Sequence, residues 1–203
     1  MVVMDSVANK VIGQNYHLRE NYLTAFNLFK ELANKGVSPM SITIDGNTSV
    51  IRAIKAVWPE IAMQRCLTHI QRQGLSWLRK FPKIQASKDL RRLLVCLTDV
   101  KTHKDKEIFI NNFRVWEKKY GRYILSLPPS EKVHSDLRRT RNLIIRALPD
   151  MFHYLDNRNI PATTNKIEGY FSRLKSIYRQ HRGLSKSKRK NYFDWYIFFK
   201  NIN

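Results

Sequence analysis

Strand-type sequence in this chain is confined to the stretch before Gly46, and nearly everything after it carries a helical period. Val2 to Met4 is a short β-type run, Asp5 to Lys10 holds turn residues, and Val11 to Tyr16 can return as a partner strand. Ser41 to Asp45, reading SITID, is a third run of β-branched residues that delivers Asp45 to its C-terminal end. Strands first and helices afterwards point to an α+β or α/β layer rather than a bundle.

Between and beyond these runs the spacing is helical. Tyr22, Phe26, Phe29 and Leu32 fall on one face, with Leu23 and Leu28 flanking, and Gly36 ends that helix. The break Gly46-Asn47-Thr48 caps a second helix with Val50, Ile54 and Val57 on one side, stopped at Trp58-Pro59. The segment Met63 to Phe81 carries Cys66, His69, Leu75, Trp77 and Leu78. Lys88 to Tyr123 then shows Leu90, Leu93, Leu94 and Leu97, followed by Ile108, Phe113 and Trp116. Pro128-Pro129 interrupts before another helical stretch from Ser130 to Leu148. There is no internal repeat and no long Gly/Ser linker.

The stretch Pro161 to Lys190 sets a single carboxylate, Glu168, at the head of a helix, and no Asp or Glu follows until Asp194. Arg173, Lys175, Arg179, Arg182, Lys186, Lys188, Arg189 and Lys190 crowd the interval. Glu168, Ser172, Lys175, Arg179 and Arg182 form one stripe at helical spacing, and Ile167, Phe171, Leu174 and Tyr178 form the adjacent apolar stripe. Cations on that face would contact phosphates, which positions a strand without reading its sequence. Charge over the whole chain agrees. A net charge of +21 disfavours a compact chain through self-repulsion unless a polyphosphate partner neutralises it. Nucleic acid is therefore the expected partner.

Two cysteines, Cys66 and Cys96, do not make a disulfide framework, which fits a reducing interior. The N-terminus lacks a basic region followed by a long apolar run, and no stretch has the apolar length of a membrane span. The expected setting is cytoplasmic and nucleoid-associated, with no membrane.

Three landmarks fit together: Asp45 after its strand, Cys66-Leu67-Thr68-His69, and TTNKIEGYFSRLK around Glu168. In this order they resemble the mutator-type (MULE-like) transposases of bacterial insertion sequences, and the tail HRGLSKSKRKNYFDWYIFF is similar to that group as well. The resemblance implies a ribonuclease-H-like core with an Asp-Asp-Glu triad. Its second Asp ends the fourth strand, a C-x-x-H motif and a helical insertion follow, and its Glu lies in a T-N-x-x-E-G-x-x-S-x-L-K pattern. On that reading residues 1–89 hold the second to fourth strands and following helices, 90–150 the helical insertion, and 151–203 the last core helix with its basic tail. About 120 residues part Asp45 from Glu168, too many for a simple loop.

The resemblance also implies Asp45 and Glu168 as catalytic metal ligands. Phosphoryl transfer in DNA uses two divalent cations about 3.5–4 Å apart, and Mg2+ (or Mn2+) prefers carboxylate oxygen. Each residue has a plainer reading beside this one. Asp45-Gly46 is an ordinary turn pair, and Asn165 with Glu168 fits a capping box. Cys66 and His69 are spaced like half a zinc site without an evident second ligand pair, so no zinc is expected. With Asn165 they stand as family motif residues of unclear role. Lys175, Arg179, Arg182, Lys186, Lys188, Arg189 and Lys190 are the expected DNA contacts.

A first strand with its own Asp has no counterpart. Asp5 is the only acidic residue before Glu20, and it falls at the hairpin tip between the runs matched to the second and third strands. The expectation is an N-terminally truncated transposase catalytic portion, inactive alone, with DNA ends and target as partners alongside a homo-oligomer or full-length transposase. The alternatives are a non-catalytic DNA-binding or regulatory remnant and a basic RNA-binding protein. Loss of the first strand would leave the hairpin without a neighbour and two strand edges unpaired.

Overall fold

The computed structural model describes residues 1–16, 21–128, 130–181 and 183–202. Strand β1 (Val2–Met4) pairs antiparallel with β2 (Val11–Gln14), with Val2 opposite Gln14. Asp5 closes the turn between them, its Oδ1 accepting from the Val7 and Ala8 amides at 2.8 and 2.9 Å. Helix α1 (Tyr22–Asn34) begins at a capping box between Asn21 and Thr24 and buries Ala25, Leu28, Phe29 and Leu32. Tyr22 and Leu23 lie on its exposed side instead, because the buried face is centred on Leu28 and Phe29. Gly36 follows with φ +83°, a conformation open to glycine.

Strand β3 (Ser41–Ile44) is followed by α2 (Thr48–Val57), capped by the Asn47 side chain. Strand β4 (Ala62–Arg65) then lies parallel to β3, Ser41 opposite Ala62 and Ile44 opposite Arg65. Sequence patterning gave no strand there. AMQR lacks β-branched residues, and its pairing rests on burial of Met63, Gln64 and Arg65.

Among the described residues the two ribbons share no ladder: β1 pairs only with β2 and β3 only with β4. They are joined through packing. Met1, Val3 and Ile42 lean on a core of Ala25, Phe29, Leu32, Ile44, Val50, Ala53, Ile54 and Met63, so α1 and α2 cover both. The other face of the hairpin contributes Val2, Met4 and Val11 to a small cluster with Tyr170 and Ile197.

Helices α3 (Leu67–Leu78), α4 (Gln85–Val95), α5 (His103–Ser126) and α6 (Lys132–Ala147) build a separate helical core with 3-10 turns at Leu97–Asp99 and Leu148–Asp150. Position 90 falls inside α4, and Leu67, Ile70 and Leu78 of α3 belong to this core. The helical stretch Lys88 to Tyr123 divides between two helices, because the chain turns at Leu97–Asp99 and restarts at a Thr102–Asp105 capping box. Phe109, Phe113 and Trp116 form the inward face of α5, while Ile108 sits one position off it and is exposed. The Trp116 indole N–H donates to the Ala86 carbonyl at 2.9 Å, tying α5 to α4.

A short α7 (His153–Asp156) returns the chain toward β4, where Gln64 is completely buried. Its Nε2 donates to the Arg65 and Met151 carbonyls, both at 2.7 Å, and its Oε1 accepts from the Tyr154 amide at 3.3 Å. Helix α8 (Asn165–Tyr178) follows, and α9 (Lys186–Ile202) folds back against it. Tyr170 meets Tyr196, and Tyr178 meets Tyr192 and Phe193, so the two run antiparallel. The basic tail is thus a helix in its own right. The α+β expectation holds at this level, with 65% of the described residues helical and small sheets.

Gln64 joins the β3–β4 pair to the returning chain at Met151 and Tyr154. Gln64→Leu is expected to strand the Met151 carbonyl and Tyr154 amide and cost about 1–3 kcal/mol of unfolding free energy. Urea unfolding of the two proteins measures it.

Candidate functional site

Pro161 to Thr164 runs against the C-terminal ends of β3 and β4. Thr43 Oγ1 donates to the Pro161 carbonyl at 2.8 Å, and the Leu67 amide donates to the Ala162 carbonyl at 3.0 Å. The Thr164 amide donates to Cys66 Sγ at 3.3 Å across 98 residues of sequence. The Cys66 amide in turn donates to the Ile44 carbonyl, so Cys66 sits beside the residue before Asp45. The heads of α3 and α8 therefore meet at the end of β3, which brings Cys66, His69 and Glu168 together. Asp45 starts the turn after β3 and is not part of that group.

Thr164 is the N-cap of α8, and its side chain does not cap the helix. The capping box expected from Asn165 and Glu168 does not form, since Asn165 is the first helical residue. Thr164 Oγ1 instead donates to Glu168 Oε1 at 2.9 Å and lies 3.3 Å from both Cys66 Sγ and His69 Nδ1. His69 Nδ1 is 3.2 Å from Cys66 Sγ and 3.6 Å from Glu168 Oε1. Arg72, one turn beyond His69 on α3, donates to Glu168 Oε2 at 3.1 Å. Sequence reasoning missed Thr164 and Arg72. The signal for Arg72 was its spacing of three from His69 and six from Cys66, which stacks all three on one helix face.

These partners set the charge of Glu168. Burial, the largest single influence, pushes its carboxyl up. The hydrogen bonds from Thr164 and Arg72 and the charges of His69 and Arg72 together outweigh it and hold the group below its ordinary value of 4.5.

Asp45 is exposed and bonds in the turn following β3, its Oδ1 accepting from the Asn47 amide at 3.0 Å. The turn-pair reading is thus realised in the structure. Beneath it lies Arg65, 8% exposed, whose NH2 donates to the Asp45 carbonyl at 3.3 Å. Burial lowers the pKa of that guanidinium, opposed by the nearby Asp150, Asp45 and Cys66. Gly46, at φ +119°, lets the guanidinium pass, because a Cβ there would come within 2.1 Å of Arg65 NH2.

Among the described residues, the one group of three metal-type side chains whose donor atoms all lie within 4.8 Å of one another is Cys66, His69 and Glu168. Asp45 and Glu168 offer the oxygen donors that Mg2+ takes, but among the described residues Asp45 belongs to no such group and Glu168 shares its group with no other carboxylate. Asp5 stays at the hairpin tip, which Lys166 of α8 holds through the Ser6 carbonyl and Asn9 Oδ1, both at 3.1 Å.

Of the expected DNA contacts, Lys175, Arg179 and Lys188 are exposed. Arg189 lies over the Tyr178 ring at 5.4 Å, and Lys190 pairs with Asp194 at 2.7 Å, so both have local partners. Arg182 and the Lys186 side chain lie outside the described residues. Among the described residues no helix is long and apolar enough to cross a membrane.

Comparison with known proteins adds one match. The family described as "Transposase, Mutator family" matches residues 3–182, which covers every site residue above except the start of the basic tail helix. No curated protein and no solved structure matches.

Two outcomes follow from this geometry. The unfolded chain returns the Glu168 carboxyl to its ordinary range and so binds more protons than the folded one on acidification. Its stabilising contribution is therefore complete above the ordinary value of 4.5 and lost as pH falls through the lower folded value. Urea unfolding at a series of acid pH values is expected to show a shallower slope for Glu168→Gln than for the natural chain. Gly46→Ala is expected to destabilise by more than about 1 kcal/mol, since it meets both a positive φ and the buried Arg65; thermal unfolding reads it.

Proposed function

Since this chain belongs to the mutator family of transposases, we propose that it supplies the catalytic-domain portion of a transposase, with Asp45 and Glu168 as two of the three carboxylates of a ribonuclease-H-like DDE site. The observation that carries this reading is the seam at Pro161–Thr164. It brings the head of α8 to the ends of β3 and β4 across about 100 residues of intervening helices. A divalent cation such as Mg2+ would supply activation of the attacking oxygen and stabilisation of the leaving oxygen at the DNA phosphate. The protein's own part is to present Asp45 at a strand end, hold Glu168 by Thr164 and Arg72, and draw the phosphate backbone along the exposed cations of α8. A third carboxylate is required for strand cleavage, and Asp5, whose Oδ1 is committed to its turn, does not serve. The chain is therefore proposed to be inactive by itself, and DNA and other transposase chains are its proposed partners.

A second reading, a non-catalytic DNA-binding protein of the same family, is favoured by one observation. Both oxygens of Glu168 are already hydrogen-bonded within the protein. The two readings separate in one set of experiments. Duplex DNA binding is expected to fall steeply with salt, and Lys175→Ala with Arg179→Ala to lower the log–log slope by about 2. Adding a separate segment that bears a strand with an Asp is expected to restore Mg2+- or Mn2+-dependent nicking, abolished by Asp45→Asn or Glu168→Gln. DNA binding that never gains cleavage would establish the second reading. Cleavage that persists in Asp45→Asn would exclude the first.

A further inference from the structure

We propose that Cys66, His69 and Glu168 form a binding site for one divalent transition-metal ion of the Zn2+ or Co2+ type. This goes beyond the family reading and does not rest on it; since Arg72 holds Oε2, Glu168 would serve this ion or the Mg2+ of that reading, one at a time. The donors come from two helix heads that the return of the chain brings together: Cys66 is the N-cap of α3, His69 lies one turn on, and Glu168 is in the first turns of α8. Sulfur and imidazole are donors that Mg2+ does not take and that Zn2+ and Co2+ prefer.

Spacing matches that chemistry. Zinc–ligand bonds of about 2.0–2.3 Å in a tetrahedral arrangement put neighbouring donor atoms about 3.3–3.6 Å apart. The Nδ1–Oε1 separation is 3.6 Å, the Sγ–Nδ1 separation of 3.2 Å is just short of that range, and all three donor atoms lie within 4.8 Å of one another. The Thr164 hydroxyl touches all three donors and so marks the point on which they converge. An ion at that point would displace the Thr164 hydroxyl from it.

The surroundings suit a metal-bound thiolate. The Thr164 amide donates to Sγ, as backbone amides do to metal-bound sulfur, and Cys66 stands at a helix N-terminus. Arg65 lies close enough to Cys66 for their charges to interact. One thiolate and one carboxylate match a dication. Arg72 takes Oε2 and leaves Oε1 for the ion, and the Cys66 sulfur is buried while His69 and Glu168 are about one-third exposed, giving an entry path.

Co2+ added to the purified full chain is the test, with Cys96, exposed and outside the cluster, as the internal control. One equivalent is expected to produce a thiolate-to-cobalt charge-transfer absorption that excess Mg2+ leaves in place and Zn2+ removes. Cys66→Ser is expected to abolish the band and Cys96→Ser to keep it. His69→Gln, at a partly exposed position, is expected to weaken Co2+ binding even if Cys66→Ser does not fold. Absence of the band in the natural chain, its loss in Cys96→Ser, or unchanged Co2+ binding in His69→Gln would each overturn the site. The readout needs no DNA, so a chain that binds Co2+ but never cleaves DNA would sink only the functional proposal.

Discussion

The hydrogen bonds from the Pro161–Thr164 segment to the ends of β3 and β4 are what the rest of the site depends on. Two helix heads, α3 and α8, converge only because the returning backbone bonds Thr43, Leu67 and Cys66. Each of these bonds spans a long sequence separation, so ordering it costs loop-closure entropy that local pairing does not. The helical core between them offsets that cost by burying its own apolar face, and buried Gln64 fixes where its last turns meet β4.

Much of this was legible in the sequence, for physical reasons that differ by element. The SITID run and the Asn47 cap are local signals, and both stand where patterning put them. The order of strands before helices likewise fixed the layer type. Strand β4 was not legible because AMQR is polar and unbranched, and its strand state comes from pairing with β3 and from burial. The cap of α8 was misjudged by one residue. Thr164 and Asn165 are both good capping residues, and the choice between them is made by Cys66, a contact no local rule contains. Arg72 was legible in principle, being in helical register with Cys66 and His69.

Among the described residues, some cations of the C-terminal part have local partners and others lie exposed. The chain carries +21, yet several cations of the tail are held locally: Arg189 by a ring, Lys190 by Asp194, and Lys166 by the hairpin tip. What remains exposed on α8 and at its C-cap is Arg173, Lys175 and Arg179, the last two on the stripe that begins at Glu168. A phosphate backbone following that stripe ends at the cluster of Glu168, His69 and Cys66.

The convergence of Cys66 and Thr164 is the central structural claim, and a disulfide trap tests it directly. In a Cys96→Ser background, Thr164→Cys places two sulfurs where Sγ and Oγ1 now lie 3.3 Å apart. Under mild oxidation the account predicts a rapid intramolecular disulfide linking peptides that contain residues 66 and 164, identified by mass spectrometry. Failure to form it in the folded monomer would contradict the account.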